Sequence, residues 1–112
     1  MDVQFRTNKL RDAFLEHKIA TKQFGDRDGK LYIRRINELA SCETLGDVLD
    51  LPFGKPHALS GERAGEFAIN MVQPRRLIFV PLDEEGQRIA ADKIKPGEVK
   101  SIQVWEVVNY HD

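Results

Sequence analysis

Residues 55–80 read KPHALSGERAGEFAINMVQPRRLIFV. From Glu66 to Met71 apolar and polar residues alternate, with Phe67, Ile69 and Met71 on one side, the pattern of a half-buried strand. Gln73-Pro74 interrupts it. Leu77-Ile78-Phe79-Val80 then resumes as a continuous apolar run, which fits a central strand covered on both faces. The pair forms a β-hairpin with Pro74 at the turn, where a missing N–H costs no ladder bond. Arg75 and Arg76 stand at the hairpin mouth, and His57 approaches it through a basic turn flanked by Gly61 and Gly65.

Upstream, Val3-Gln4-Phe5 suits a short first strand, since a β-branched residue and an aromatic alternate with a polar one. Thr7 or Asn8 caps a helix predicted over Lys9 to Lys18, with Leu10, Ala13, Phe14 and His17 at three- and four-residue spacing. His17 falls late in that helix, where its dipole favours an imidazolium, and is read as structural or solvated. Gly25-Asp26-Arg27-Asp28-Gly29 is a polar break. A second helix over Gly29 to Ala40 carries Leu31, Ile33, Ile36, Leu39 and Ala40 on its apolar face, with Arg34-Arg35 as a solvated stripe. The two helices form an antiparallel hairpin. Thr44 caps a short helical turn that Pro52 ends.

Downstream, residues 82–99 are polar, with Gly86, Pro96 and Gly97 as turn formers, and are read as a surface loop. Ser101 to Val108 alternates again, placing Ile102, Val104 and Glu106 on one side and Gln103, Trp105 and Val107 on the other.

A chain of 112 residues that is 41% hydrophobic and 31% charged is long enough for one core without disulfides or metal. Its single cysteine, Cys42, forms no internal disulfide and is read as a small residue near a helix end. No apolar run has the length of a signal peptide or a membrane span, so a cytoplasmic location without membrane attachment is expected. The net charge of −1 supplies no global field to attract nucleic acid. Residues 1–81 nonetheless hold 13 Lys and Arg against 11 Asp and Glu, and residues 82–112 hold 4 against 7, so a polyanion site must be a local patch.

Taken in order, His57-x-Leu59-x-Gly61-x-Arg63-x-Gly65, a strand, Pro74-Arg75-Arg76-Leu77-Ile78-Phe79 and a closing Val107-Val108-Asn109-Tyr110-His111 resemble the HigB-type toxins of the RelE/ParE superfamily, also called plasmid-maintenance killer proteins. The likeness covers essentially the whole chain, including LASCETLGDVLDLP at residues 39–52. It implies a single α+β domain over residues 1–112, with an N-terminal helical hairpin packed on a small, twisted, mainly antiparallel sheet. It further implies a toxin of a type II toxin–antitoxin system that cuts mRNA on the ribosome and is neutralised by a HigA-like helix-turn-helix antitoxin. The family uses no cofactor and no metal.

Metal-free RNA cleavage needs a base for the ribose 2′-hydroxyl, an acid for the leaving 5′-oxygen and cations for the charge on phosphate. Histidine matches the first two tasks at neutral pH. By resemblance, His57 and His111 take these acid and base roles. Tyr110 donates to phosphate or stacks on a base, and Arg76 binds phosphate in bidentate fashion. Arg63, Arg75, Lys55 and Asn109 are substrate-binding candidates, Arg63 having a competing structural role as a partner of Glu62 or Glu66. The sequence departs from the family pattern at Ser60, where a Lys is usual, and at Asn109, where an Asp is usual. Two other readings stay open: a non-enzymatic, ParE-like poison of DNA gyrase, and a degenerate toxin that only binds its antitoxin.

Overall fold

The apolar run at 77–80 lies in the middle strand of a five-stranded sheet. The computed structural model describes residues 1–109. Its strands are β1 (Asp2–Phe5), β2 (His57–Ala58), β3 (Phe67–Asn70), β4 (Arg75–Leu82) and β5 (Ser101–Asn109), in spatial order β1-β5-β4-β3-β2. All neighbours are antiparallel except β1, which runs parallel to β5. Ile78, Phe79 and Val80 are fully buried because β4 is covered on both faces, as its unbroken apolar run requires. The Gln73–Pro74 peptide in the β3–β4 turn is cis.

Four helices, α1 (Asn8–Leu15), α2 (His17–Phe24), α3 (Asp26–Ser41) and α4 (Leu45–Leu49), lie between β1 and β2 in the chain. The main core joins their apolar faces to one face of the sheet: Leu10, Ala20, Tyr32, Ile36, Leu39, Leu45 and Val48 meet Phe67, Ile69, Leu77, Phe79, Ile102 and Val104. The α+β class and the mainly antiparallel sheet agree with the expectation from sequence.

The helix boundaries differ. The helix read over Lys9 to Lys18 breaks at Glu16, which is extended, so His17 opens α2 and lies at the positive end of a helix dipole. Neither Pro nor Gly marks the break. The two halves serve different partners: Phe14 stacks on Phe5 of β1, while Ala20 is buried against α3. The polar string 25–29 is not a break over its length. Gly25, at φ +89°, alone makes the corner, and α3 begins at Asp26. Gly29 sits inside α3, where a Cβ would come within 2.8 Å of Thr21 N and 2.9 Å of Ala20 C; its missing side chain lets α2 and α3 touch backbone to backbone.

Within α3, Tyr32 belongs to the core and Ala40 is exposed, the reverse of the periodic reading. Tyr32 is amphipathic enough to be buried because its hydroxyl donates to Leu10 O at 2.7 Å. Arg35 is not a solvated residue either: Nε donates to Asn70 O at 2.8 Å and Nη1 pairs with Glu38 at 2.8 Å, tying α3 to the end of β3. Arg34 is exposed, with a longer contact to Glu38 of 3.6 Å. Cys42 caps the end of α3, and burial pushes its thiol pKa up. Thr44 caps α4 through a reciprocal pair of bonds with Asp47, as its sequence position suggests.

A second correction concerns β5. Ile78 pairs with Glu106 but Phe79 pairs with Val104, which leaves Trp105 as the extra residue of a bulge. The bulge resets the alternation: Ile102, Val104 and Val107 face the helices, while Trp105 and Val108 pack on the opposite face and Glu106 reaches Arg63 there. The segment 82–99 is more ordered than a plain loop. Asp83 Oδ1 accepts from Glu85 N and Gln87 N, Leu82 bridges to Arg88, and Val99 is buried with its carbonyl accepting from Leu45 N.

Candidate functional site

The face of the sheet turned away from the helices carries the side chains of interest. One cross-strand row runs His57, Ala68, Ile78, Glu106 over β2 to β5; the next runs Asn70, Arg76, Val108 over β3 to β5. Leu59, Ala68 and Ile78, with Trp105 and Val108, form an apolar floor. Two inter-strand steps and two residues along the strand separate the Cα atoms of His57 and Arg76 by about 12 Å. Ala68 on the intervening strand is small. An imidazole and a guanidinium therefore stand on one sheet face, on neighbouring cross-strand rows, with buried apolar residues between them.

His57 is oriented by the backbone. Its Nδ1 lies 2.8 Å from Lys55 O. A carbonyl only accepts, so Nδ1 carries the proton, and the lone pair of the neutral ring is on Nε2. Lys55 supplies this carbonyl from a left-handed conformation, φ 45°, next to Gly54 at φ 72°. Gly54 is held in place because its carbonyl accepts from Asn70 N at 2.7 Å, and a Cβ there would meet Ile69 at 2.7 Å. Lys55 thus meets His57 through its main chain, while its side chain is exposed.

Arg63 crosses the same face from the turn Gly61–Arg63. It pairs with Glu66 and, at 3.0 Å, with Glu106 on β5. The hydrogen bond to Glu106 is the largest cause raising the Arg63 pKa. With two carboxylates in contact, Arg63 acts as a strut between the β2–β3 connection and β5. Asn70, which sequence reading passed over, lies beside Arg76 with Oδ1 buried and accepting no hydrogen bond among the described residues. Strand parity was the signal for it, because Asn70 shares the parity of Ala68.

Arg75 and Asn109 lie on the other face. Arg75 Nη1 donates to Phe24 O at 2.8 Å and stands 3.4 Å from the buried Asp28, whose Oδ1 also accepts from Val72 N at 2.9 Å. Asn109 pairs with Arg75 across β5 and lines a depression with Gln23, Phe24 and Val107. The structure thus unites His57, Arg76 and Arg63, sets Lys55 at the rim, and places Arg75 and Asn109 behind the sheet. Tyr110 and His111 lie outside the described residues.

No family model and no curated protein matches the chain. Among solved structures it is similar to the YoeB/ParE toxin from Agrobacterium tumefaciens, with a TM-score of 0.53 at 14% identity over 99% of this chain and 100% of that one. The fold is RelE/ParE-like. A YoeB-YefM complex from Staphylococcus aureus gives a TM-score of 0.50 at 16% identity, over 100% of this chain and 98% of the other. The helices occupy one side of the sheet, and His57 and Arg76 stand on the other. Among the described residues no helix is long and apolar enough to cross a membrane.

Proposed function

We propose that this chain is the toxin of a type II toxin–antitoxin system, a HigB-type endoribonuclease that cuts mRNA on the ribosome in the cytoplasm. The observation that carries the reading is the placing of two side chains on one sheet face. His57 and Arg76, distant in sequence, stand on adjacent rows of one sheet face, with an oriented imidazole and an unfilled buried acceptor on Asn70. That set suits phosphodiester chemistry.

In the proposed reaction His57 Nε2 takes the proton of the ribose 2′-hydroxyl as its oxygen bonds to phosphorus. The P–O5′ bond breaks, and His111 gives its proton to the leaving 5′-oxygen. The products are a 2′,3′-cyclic phosphate and a 5′-hydroxyl. Arg76 faces the phosphate, where a bidentate guanidinium stabilises the charge that builds up on its oxygens. Tyr110 donates to the same phosphate or stacks on a neighbouring base, and Asn70 Oδ1 accepts from a ribose hydroxyl or a base amine. Of the other substrate-binding candidates only Lys55 is exposed on the His57 side; Arg63 is held by Glu66 and Glu106, and Arg75 and Asn109 lie behind the sheet, so these three serve the fold.

The S. aureus neighbour is a complex of YoeB with YefM. By analogy this chain takes a partner antitoxin, which we assign to the HigA-like helix-turn-helix class. A second reading, a ParE-like gyrase poison, is favoured by Ser60, which stands where the resembled family usually carries a Lys and so removes one cation. Primer extension on abundant transcripts after brief induction without antitoxin tests both. New 5′ ends inside translated codons, lost in His57→Ala and Arg76→Ala, are expected; growth arrest with intact transcripts and broken DNA would replace the ribonuclease with the gyrase reading.

A further inference from the structure

On the same side of the sheet, two arginines far apart in the chain converge on the ring of Trp105. Arg6, just past β1, donates Nε to Trp105 O at 2.8 Å and holds its guanidinium carbon 4.6 Å from the centroid of the Trp105 ring. Arg88, from the turn after β4, places its own guanidinium carbon 4.9 Å from the same ring. Trp105 faces this side of the sheet because it is the bulge residue, and it adjoins Glu106, the end of the row that starts at His57. Both arginines are exposed.

A guanidinium lying over an aromatic ring is fixed in orientation while its N–H edge remains open to an anion. Arg6 spends only Nε on the protein, and its terminal nitrogens bond nothing among the described residues. The ion pair of Arg88 is a 4.0 Å contact with Glu66, whose other oxygen already holds Arg63. Arg63, gripped by two carboxylates, is unavailable to a phosphate; Arg6 and Arg88 are available. They are a local cationic pair on a chain of net charge −1, and the ring that holds them packs on the apolar cluster of the sheet face that carries His57 and Arg76.

We propose that Arg6 and Arg88, held on Trp105, form a second subsite that binds backbone phosphates of the single-stranded RNA flanking the scissile bond. This rests on the ribonuclease reading and extends it. The subsite reads phosphate and not base identity, so it fixes where the strand runs without choosing its sequence.

The test is binding of the purified chain to a fluorescein-labelled single-stranded RNA 12-mer, followed by anisotropy across a salt series. Each phosphate contact contributes about 0.7 to the slope of log K against log salt for a single strand. Arg6→Gln and Arg88→Gln should each reduce the slope by about 0.7, and Arg6→Lys and Arg88→Lys should retain it. Trp105 is the only tryptophan of the chain, so its fluorescence should also change as RNA is added. Folded Gln variants that bind RNA with the wild-type slope would overturn the subsite while leaving the ribonuclease reading intact. Wild-type protein that binds no RNA even at low salt would also overturn it, and primer extension would then decide independently whether the ribonuclease reading survives.

Discussion

Arg75 and Arg76 are neighbours in sequence and opposites in space, so replacing each in turn separates stability from chemistry. Arg75→Ala removes the hydrogen bond to Phe24 O and leaves Asp28, whose side chain is 9% exposed, without its cation. A charge-assisted hydrogen bond contributes about 1.5 kcal/mol. Stranding a buried carboxylate costs more when the pair is dry, but the Arg75 side chain is 37% exposed, which limits that loss to about 1 kcal/mol. The sum, about 2.5 kcal/mol, corresponds to a fall in Tm of about 10 °C for a domain of this size. Urea denaturation followed by circular dichroism measures the free energy directly. Arg76→Ala, in its folded fraction, should reduce transcript cleavage by about 100-fold or more, the typical cost of losing a donor to developing charge. Cleavage by folded Arg75→Ala, assayed well below its Tm, should stay within about threefold. An Arg75→Ala variant as stable as wild type, or one that is folded but inactive, would refute the assignment of the two arginines to opposite faces of the problem.

His57→Ala should abolish cleavage while changing stability by less than about 0.5 kcal/mol, because among the described residues its ring, on an edge strand, bonds only Lys55 O; parallel primer extension and thermal melts check both halves. Gly29→Ala should destabilise by about 2 kcal/mol or more, since the added methyl strikes the backbone of Ala20 and Thr21, and chemical denaturation reads the loss. Burial raises the pKa of Tyr32 above the ordinary tyrosine value near 10. The folded chain therefore holds that proton more tightly than the unfolded chain. The resulting stability is complete below about pH 10 and falls by about 1.4 kcal/mol per pH unit as pH rises toward the folded value. Denaturation across an alkaline series should show this slope, and Tyr32→Phe should flatten it while losing about 1 kcal/mol at neutral pH with the bond to Leu10 O.

The strands were legible wherever a run of side chains had one period and one environment. Phe67, Ile69 and Leu77 to Val80 are core residues as their pattern predicts, and Thr44 caps its helix from local chemistry alone. The pattern misled where a local irregularity had no local cause. Glu16 breaks a helix without a breaker residue, and the bulge at Trp105 moves Glu106 and Val107 to the faces opposite those that alternation gives them. In the site, His57 and Arg76 were readable from resemblance and strand parity. Asn70 shared that parity and was passed over; Arg6 and Arg88 were not readable, because nothing adjacent in sequence links them to the same surface.

By itself the sequence determined the α+β class, the central strand and the residue types able to do acid–base and phosphate chemistry, since periodicity and pKa are properties of short segments and single side chains. Tertiary structure decided which of those residues share a surface. Side chains on a strand alternate with period two, so adjacent Arg75 and Arg76 diverge, one to Asp28 and the other to the face that carries His57. The same rule, shifted by one residue at Trp105, brings Arg6, Arg63 and Arg88 together on the face that His57 already occupies.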